Sequence, residues 1–436
     1  MSASRAARAL AAASARAGAV SSFKAMDVLQ AARAIERSGA RVLHLELGEP
    51  SGGAPRAAVA AAKVVLDGPP AALGYTPARG LLELRRAISA HYAAALGADV
   101  PPERIHVTSG ASAGLVLACA AAFDAGDAVA LARTTYPCYR NVLAALGCEA
   151  VPLAGGAHPF RDGAAELRAT AATRRARGLP PLAGAILASP ANPTGTAYSP
   201  EQMAELCATA RELGLRLVSD ETYLGLSYPP AVDVSAALSE PRGGAPGGAL
   251  IVGSFSKYHS MTGWRVGWLV APAELDGAVE RLQQNLNICA PAISQHAALA
   301  ALTTPDATAE LDARAAVYAR SRAVVLGALT RIGVDASRIA PADGAFYVYA
   351  DVHDALGARA ARRAAAAGAA GAPVLDAEAL CAALLADPDV RVALTPGSDF
   401  EAPGAPEGPR RVRLSYAGPP ADVAEAMARI ESWWAR

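Results

Sequence analysis

At 436 residues the chain is long enough for two packed units and too long for one small domain. Its 40 Lys and Arg balance 40 Asp and Glu, so no charge excess points to nucleic acid or an acidic membrane surface. With 53% hydrophobic and 18% charged residues it reads as globular, and no apolar run is long enough to span a membrane. Six cysteines (119, 138, 148, 207, 289 and 381) form no CxxC pair. They read as reduced, mostly buried thiols of a cytoplasmic protein, not as a disulfide frame or a metal site. Residues 1–22 carry Arg5, Arg8 and Arg16, several serines and no acid. We read them as an N-terminal extension, a ragged alanine-rich helix; a mitochondrial or plastid transit peptide is the alternative.

The spacing of Met26, Leu29, Ala32 and Ile35 predicts a helix over 25–38, and the alternation from Val42 to Leu47 predicts a strand. That strand stops at Gly48-Glu49-Pro50, where a glycine lets the backbone approach a ligand. Gly74-Tyr75-Thr76-Pro77 then precedes an amphipathic helix from Leu81 to Ala95. From residue 104 strands and helices alternate: strands at 104–108, 128–132, 185–189, 216–219, 250–253 and 266–270, helices at 113–123, 137–146, 200–213 and 273–285. This rhythm predicts an α/β unit with a mainly parallel sheet covered on both faces, and ligands beyond the C-terminal strand ends. After a long helix at 311–331, strands at 345–350, 390–394 and 411–414 and a closing helix at 421–434 predict a smaller α+β unit. The expected division is 1–22 (extension), 23–60 (small unit, N-terminal segment), 61–310 (large unit) and 311–436 (small unit). Ser239–Gly248 and Ala355–Ala372 read as insertions, a flexible loop and a surface helix with a loose end.

One stretch, Ile251 to Trp268, stands out chemically. It holds Lys257, one of only three lysines against 37 arginines. An amine can lose its proton and attack a carbonyl, whereas a guanidinium stays protonated at any working pH. Ser254, Ser256, Ser260 and, eight residues on, Arg265 surround Lys257 with anion-binding donors. An imine-forming lysine beside a phosphate-binding set points to pyridoxal phosphate.

Other stretches extend the pattern. Ala111 and Ser112 follow Gly110 between a strand and a helix, where free N–H groups and the helix dipole suit a phosphate. Tyr136, in Y-P-C-Y, ends a strand of the same layer and can stack on a planar ring. Asn192, in N-P-T-G, can donate to a phenolate oxygen. Asp220 ends a buried strand and needs a cationic or hydrogen-bonding partner, with Tyr223 three residues on. Arg413, in R-V-R-L-S, offers a fork for a carboxylate.

The order G-A-S, Y-P-x-Y, N-P-T-G, D-x-x-Y, S-x-S-K, eight residues to Arg, and R-L-S resembles the fold-type I pyridoxal-phosphate enzymes. Within them it resembles the class I/II aminotransferases of the aspartate aminotransferase type, from about residue 20 to 434 outside the two insertions. The S-x-S-K-x-x-x-M-T-G-W-R run is its most specific part. The resemblance implies a large domain with a seven-stranded-type sheet and a smaller domain from the two chain ends. It implies that Lys257 bonds the cofactor aldehyde and later moves the substrate's proton. Asp220 would keep the pyridine nitrogen protonated, and Asn192 and Tyr223 would bond the ring oxygen. Tyr136 would stack on the ring, and Ala111, Ser112, Ser254, Arg265 and, additionally, Ser256 would hold the phosphate. Tyr75 would reach the phosphate of the neighbouring subunit, making the active unit a homodimer. Gly48, Asn192 and Arg413 would bind the substrate. The implied reaction moves an amino group between an L-amino acid and a 2-oxo acid by ping-pong kinetics, through pyridoxamine phosphate.

Relatives that prefer dicarboxylates use a second arginine, and the stretch Gln283–Gln295 is poor in charge. The expected substrate is therefore a neutral, alanine-like or hydrophobic amino acid. A same-fold lyase or decarboxylase is the alternative. A regulator of this fold would carry a DNA-binding domain ahead of it, and a nicotinamide dehydrogenase would want G-x-G-x-x-G after a strand; neither is found.

Overall fold

The computed structural model describes residues 13–153, 160–241, 246–366 and 374–436. Its strands are β1 (Leu43–His44), β2 (Ile105–Thr108), β3 (Ala128–Leu131), β4 (Glu149–Pro152), β5 (Leu182–Ala188), β6 (Arg216–Asp220), β7 (Leu250–Ser254), β8 (Gly267–Val270), β9 (Tyr347–Asp351), β10 (Val392–Ala393), β11 (Thr395–Pro396) and β12 (Arg411–Ser415). The principal helices are α1 (Lys24–Arg37), α2 (Arg56–Asp67), α3 (Leu82–Leu96), α4 (Ala111–Ala122), α5 (Pro137–Leu146), α6 (Ala164–Ala176), α7 (Pro200–Glu212), α8 (Ala273–Leu286), α9 (Ala292–Thr303), α10 (Pro305–Arg331), α11 (His353–Ala366), α12 (Ala377–Ala386) and α13 (Pro420–Ala435).

Seven strands form one sheet in the order β2-β8-β7-β6-β5-β3-β4. Only β8 runs antiparallel to its neighbours β2 and β7; the other pairings are parallel. Strands β2, β3 and β7 are buried along their whole length, which explains the apolar runs at 128–131 and 250–252. One face packs against Leu84, Ile88 and Tyr92 of α3, Met203 and Leu206 of α7 and Ala297 of α9. The other packs against Leu115 and Leu117 of α4, Leu143 of α5 and Val279 of α8. The parallel strands β3, β5, β6 and β7 all end on the same side of the sheet, and the chain turns there at each of the motifs read from sequence.

The remaining strands join the two ends of the chain. β1 pairs in parallel with β10, and β12 lies antiparallel between β11 and β9. Their core includes Val325 and Leu329 of α10 together with Ile430 and Trp434 of α13.

Several elements differ from the sequence expectation. Helices α2, α6, α9 and α12 and strand β4 lie in stretches left unassigned; α9 and α12 are apolar nearly all round and show little contrast between faces. The strand expected over 42–47 is paired as β1 only at Leu43 and His44. Beyond it the carbonyl of Glu46 accepts from Arg413 and from the Thr395 hydroxyl instead of a neighbouring strand. The stretch expected as one strand at 390–394 splits into β10 and β11, which serve different sheets. The supposed surface helix at 355–372 is the packed helix α11, with Ala355, Leu356, Arg359, Ala360 and Ala364 buried. Residues 367–372 of that stretch, 242–245 of the other insertion and 1–12 of the extension lie outside the described residues.

Candidate active site

The strand-end turns and the two chain ends enclose a cavity of about 380 Å³. Gly48, Ala111, Ser112, Tyr136, Asn192, Asp220, Tyr223, Ser254, Ser256, Lys257, Arg265 and Arg413 all line it. Tyr75 does not: its side chain is 85% exposed on the outer surface of this chain.

Each side chain reaches the cavity through local geometry. Asp220 is the last residue of β6, and Lys257 follows β7 by three positions. Gly110 precedes α4 with φ of +78°, and no side chain caps that helix end. A Cβ on Gly110 would come within 2.5 Å of Arg265 Nη2, so the guanidinium lies against the bare Cα beside the first turn of α4. Arg265 itself has φ of +50°, an uncommon left-handed conformation for a non-glycine residue. Arg265 Nη1 donates to the Thr262 carbonyl at 2.9 Å, and Ser256 N–H donates to Ser254 Oγ at 3.0 Å.

The opposite wall takes shape around Arg413. Its Nη1 donates to Asn192 Oδ1 at 2.9 Å and its Nη2 to the Glu46 carbonyl and to Thr395 Oγ1. The guanidinium lies between the rings of Tyr347 and Phe400, 4.5 and 4.7 Å from their centres. Its buried Nε has no partner. The hydroxyls of Tyr223 and Tyr347 bond each other at 2.8 Å. A Cβ on residue 48 would collide with the Tyr347 hydroxyl, so only glycine fits there.

Lys257 Nζ donates to the Gly48 carbonyl at 2.7 Å. Burial lowers its pKa to about 8, and the positive charges of Arg413 and Arg265 act in the same direction, against Glu49 and Asp220. Such an amine is free to attack a carbonyl near neutral pH, which an ordinary surface lysine is not. Asp220 accepts from the Tyr139 hydroxyl at 2.5 Å and from Thr222 N–H at 3.0 Å.

Sequence reasoning missed several lining residues. Phe23 stacks on Tyr136 with centres 5.7 Å apart and planes at 9°. Met26, Tyr139, Tyr347 and Phe400 complete the apolar and phenolic walls. Tyr139 was visible in the Y-P-x-Y motif, but the other four carry no local signal. Among the described residues no His, Cys, Asp or Glu cluster is placed to hold a metal ion.

The residues present fit pyridoxal phosphate. Lys257 offers a neutral amine for an aldehyde, and the α4 end with Arg265 and the serines offers donors for a phosphate. Asp220 lines the same cavity and can take a protonated ring nitrogen. A low-pKa lysine deep in a pocket at the strand ends of a parallel sheet defines an enzyme of the class that bonds an aldehyde cofactor through lysine. Comparison with known proteins gives the family. Residues 40–430 match the model described as aminotransferase class I and II, and the chain belongs to that family: it is a pyridoxal-phosphate-dependent aminotransferase. It is similar to the valine–pyruvate aminotransferase of Mycobacterium tuberculosis, 44% identical over 96% of this chain and 97% of that protein. An aspartate aminotransferase of Streptomyces avermitilis is 32% identical over 96% of this chain and 95% of its own length. The crystal structure of an aminotransferase from Mycobacterium tuberculosis has a TM-score of 0.84 at 44% identity, covering 97% of this chain and 99% of its own.

Proposed function

We propose that this aminotransferase takes a neutral, hydrophobic L-amino acid of the valine type as donor and a small 2-oxo acid such as pyruvate as acceptor. The observation that carries this reading is the apolar wall of Phe23, Met26, Leu47, Tyr136 and Phe400. Among the described residues that line the cavity the basic side chains are Lys257, Arg265 and Arg413. In this reading the first two serve the cofactor and the third the α-carboxylate, so this chain places no further cation for a distal carboxylate. The name of the 44% identical relative points the same way.

When bound, pyridoxal phosphate carries the amino group from one substrate to the other and draws electrons from the substrate Cα. Ala111, Ser112, Ser254, Ser256 and Arg265 hold its phosphate. Tyr136 packs on its ring, Asn192 and Tyr223 bond the ring oxygen, and Asp220 holds the ring nitrogen in its protonated form. Gly48 and Arg413 bind the substrate carboxylate, with Asn192 fixing the guanidinium. Lys257 Nζ would bond the cofactor aldehyde and, with the substrate amine in its place, would be the group that takes up and hands on the proton released at the substrate Cα. Its pKa, depressed to about 8, supports that role, since it leaves a far larger neutral fraction near pH 7 than an ordinary lysine has.

We divide the chain into a large unit at 61–310 and a small unit formed by 23–60 and 311–436; a core on the seven-stranded sheet and a second one built mainly from the two chain ends, joined by Tyr223, Leu226 and Tyr228, support this division. Tyr75 completes the site of a second copy. Its exposure, and that of Val64, Leu66, Leu73, Leu286 and Ile288, supports a covered face there. We place the enzyme in the cytoplasm, a reading supported by six free thiols; no described helix is long and apolar enough to cross a membrane. Ser21 is bonded to Asn141, which favours an extension that belongs to the folded molecule over a transit peptide.

The test is an absorption spectrum with a panel of amino acids. The visible band of the bound cofactor is expected to give way to near-ultraviolet absorption with valine and alanine, and far less with aspartate. Lys257→Ala should abolish this conversion. Equal response to aspartate would sink the substrate assignment, and wild-type turnover by Lys257→Ala would sink the role of the lysine.

A further inference from the structure

Tyr139 appears in the Y-P-x-Y motif, yet the reading above gives it no task. It sits in the first turn of α5, 2% exposed, with its ring edge-on to Tyr136 at 5.6 Å and 85°. Its hydroxyl donates to Asp220 Oδ2 at 2.5 Å, while Asp220 Oδ1 takes Thr222 N–H at 3.0 Å. Both carboxylate oxygens are thus held, one from the backbone of the strand-end turn and one from α5, the helix that follows β3. Among the described residues no Lys, Arg or His side chain forms an ion pair with Asp220, so the phenol is its side-chain donor.

We propose that Tyr139 is a positioning residue for Asp220, holding its carboxylate in place and aimed at the ring nitrogen of the cofactor. This rests on the role given to Asp220 above. A hydrogen bond donated to a carboxylate favours its charged form, and a charge-assisted bond this short also fixes its direction. Burial and the adjacent Asp220 charge raise the Tyr139 pKa well above the ordinary tyrosine value, so the hydroxyl keeps its proton and can only donate. A hydroxyl suits the place better than a cation would. It orients Asp220 without neutralising it, leaving the negative charge for the ring nitrogen.

The experiment compares wild type, Tyr139→Phe, Asp220→Ala and the double variant. Each apo-protein is titrated with pyridoxal phosphate, the visible band of the bound cofactor is followed against pH, and thermal unfolding is recorded. Tyr139→Phe keeps the ring and its contact with Tyr136, so the fold should persist. Loss of a hydrogen bond to a charged group should weaken cofactor binding by about tenfold or more and move the pH midpoint of the band. In the Asp220→Ala background the same substitution should add nothing, because the two act as one unit. Tyr139→Phe matching wild type in affinity and band, with or without a lower Tm, would overturn the proposal and leave a structural tie between α5 and β6. A full effect of Tyr139→Phe in the Asp220→Ala background would also overturn it. If Asp220→Ala itself left both readouts unchanged, the role of Asp220 would fall first and the proposal with it.

Discussion

Lys257 shows how burial turns an ordinary functional group into a reagent. Its amine has one hydrogen-bond partner, the Gly48 carbonyl, and no carboxylate within ion-pair distance among the described residues. Desolvation therefore wins over the attraction of Glu49 and Asp220, and the pKa falls to about 8 from the usual 10.5. Only the neutral amine attacks the cofactor aldehyde, so the rate at which apo-protein captures pyridoxal phosphate should rise with pH and level off above about 8. Stopped-flow absorbance from about pH 6 to 10 would measure this. A rate still climbing towards 10.5 would mean that Lys257 behaves as an exposed lysine. At this scale the sequence was highly legible where a residue stood in a short motif at a strand end. It was silent about Tyr347, whose hydroxyl meets Tyr223 across 124 positions. It was silent too about Phe23, which only looks like the residue ahead of a helix.

Helix α1 shows a comparable division at the scale of an element. Its apolar spacing made the helix readable, but its start has no side-chain cap of its own, since Phe23 occupies the position before it. The cap comes from Asp399, in the turn after β11 and 2% exposed, whose carboxylate accepts from Lys24 N–H at 3.1 Å and Ala25 N–H at 3.3 Å. A buried negative charge at a helix N-terminus also meets the favourable end of the dipole. Lys24 Nζ adds a bond to Ser398 Oγ at 2.9 Å and an ion pair with Glu378. Asp399→Ala should cost about 1 kcal/mol of stability, the usual worth of such a cap. It should also speed tryptic cleavage after Lys24 in the folded protein. Unchanged cleavage would show that the bonds of Ser21 to Asn141 and of the Lys24 amine hold this segment without Asp399. Phe23 and Met26 ride on the same segment and line the cavity, so in our reading the cap also sets the wall against which the proposed hydrophobic substrate packs.

At the scale of the whole molecule, the cavity joins the strand ends of the large sheet to Gly48 and Arg413 from the two chain ends. In our reading the substrate carboxylate thus depends on two units meeting in register, and the phosphate on a second copy as well. Sedimentation should show a dimer at micromolar concentration. Tyr75→Phe should leave that dimer intact and weaken pyridoxal phosphate binding several-fold, because it removes one hydroxyl donor and little apolar area. A monomer with full cofactor affinity would sink the shared site.

By itself the sequence determined the layered architecture and the motifs that stand at its strand ends. Strand–helix alternation and strand-end motifs are local, so a few residues of backbone place Lys257, Asp220 and the start of α4 on one side of the sheet. Only the tertiary structure decided what surrounds them. The pKa of Lys257, the ring stack around Arg413, the capping of α1 by Asp399 and the hold of Tyr139 on Asp220 all join residues far apart in the chain. Such contacts follow from close packing of the whole interior, which no local periodicity encodes.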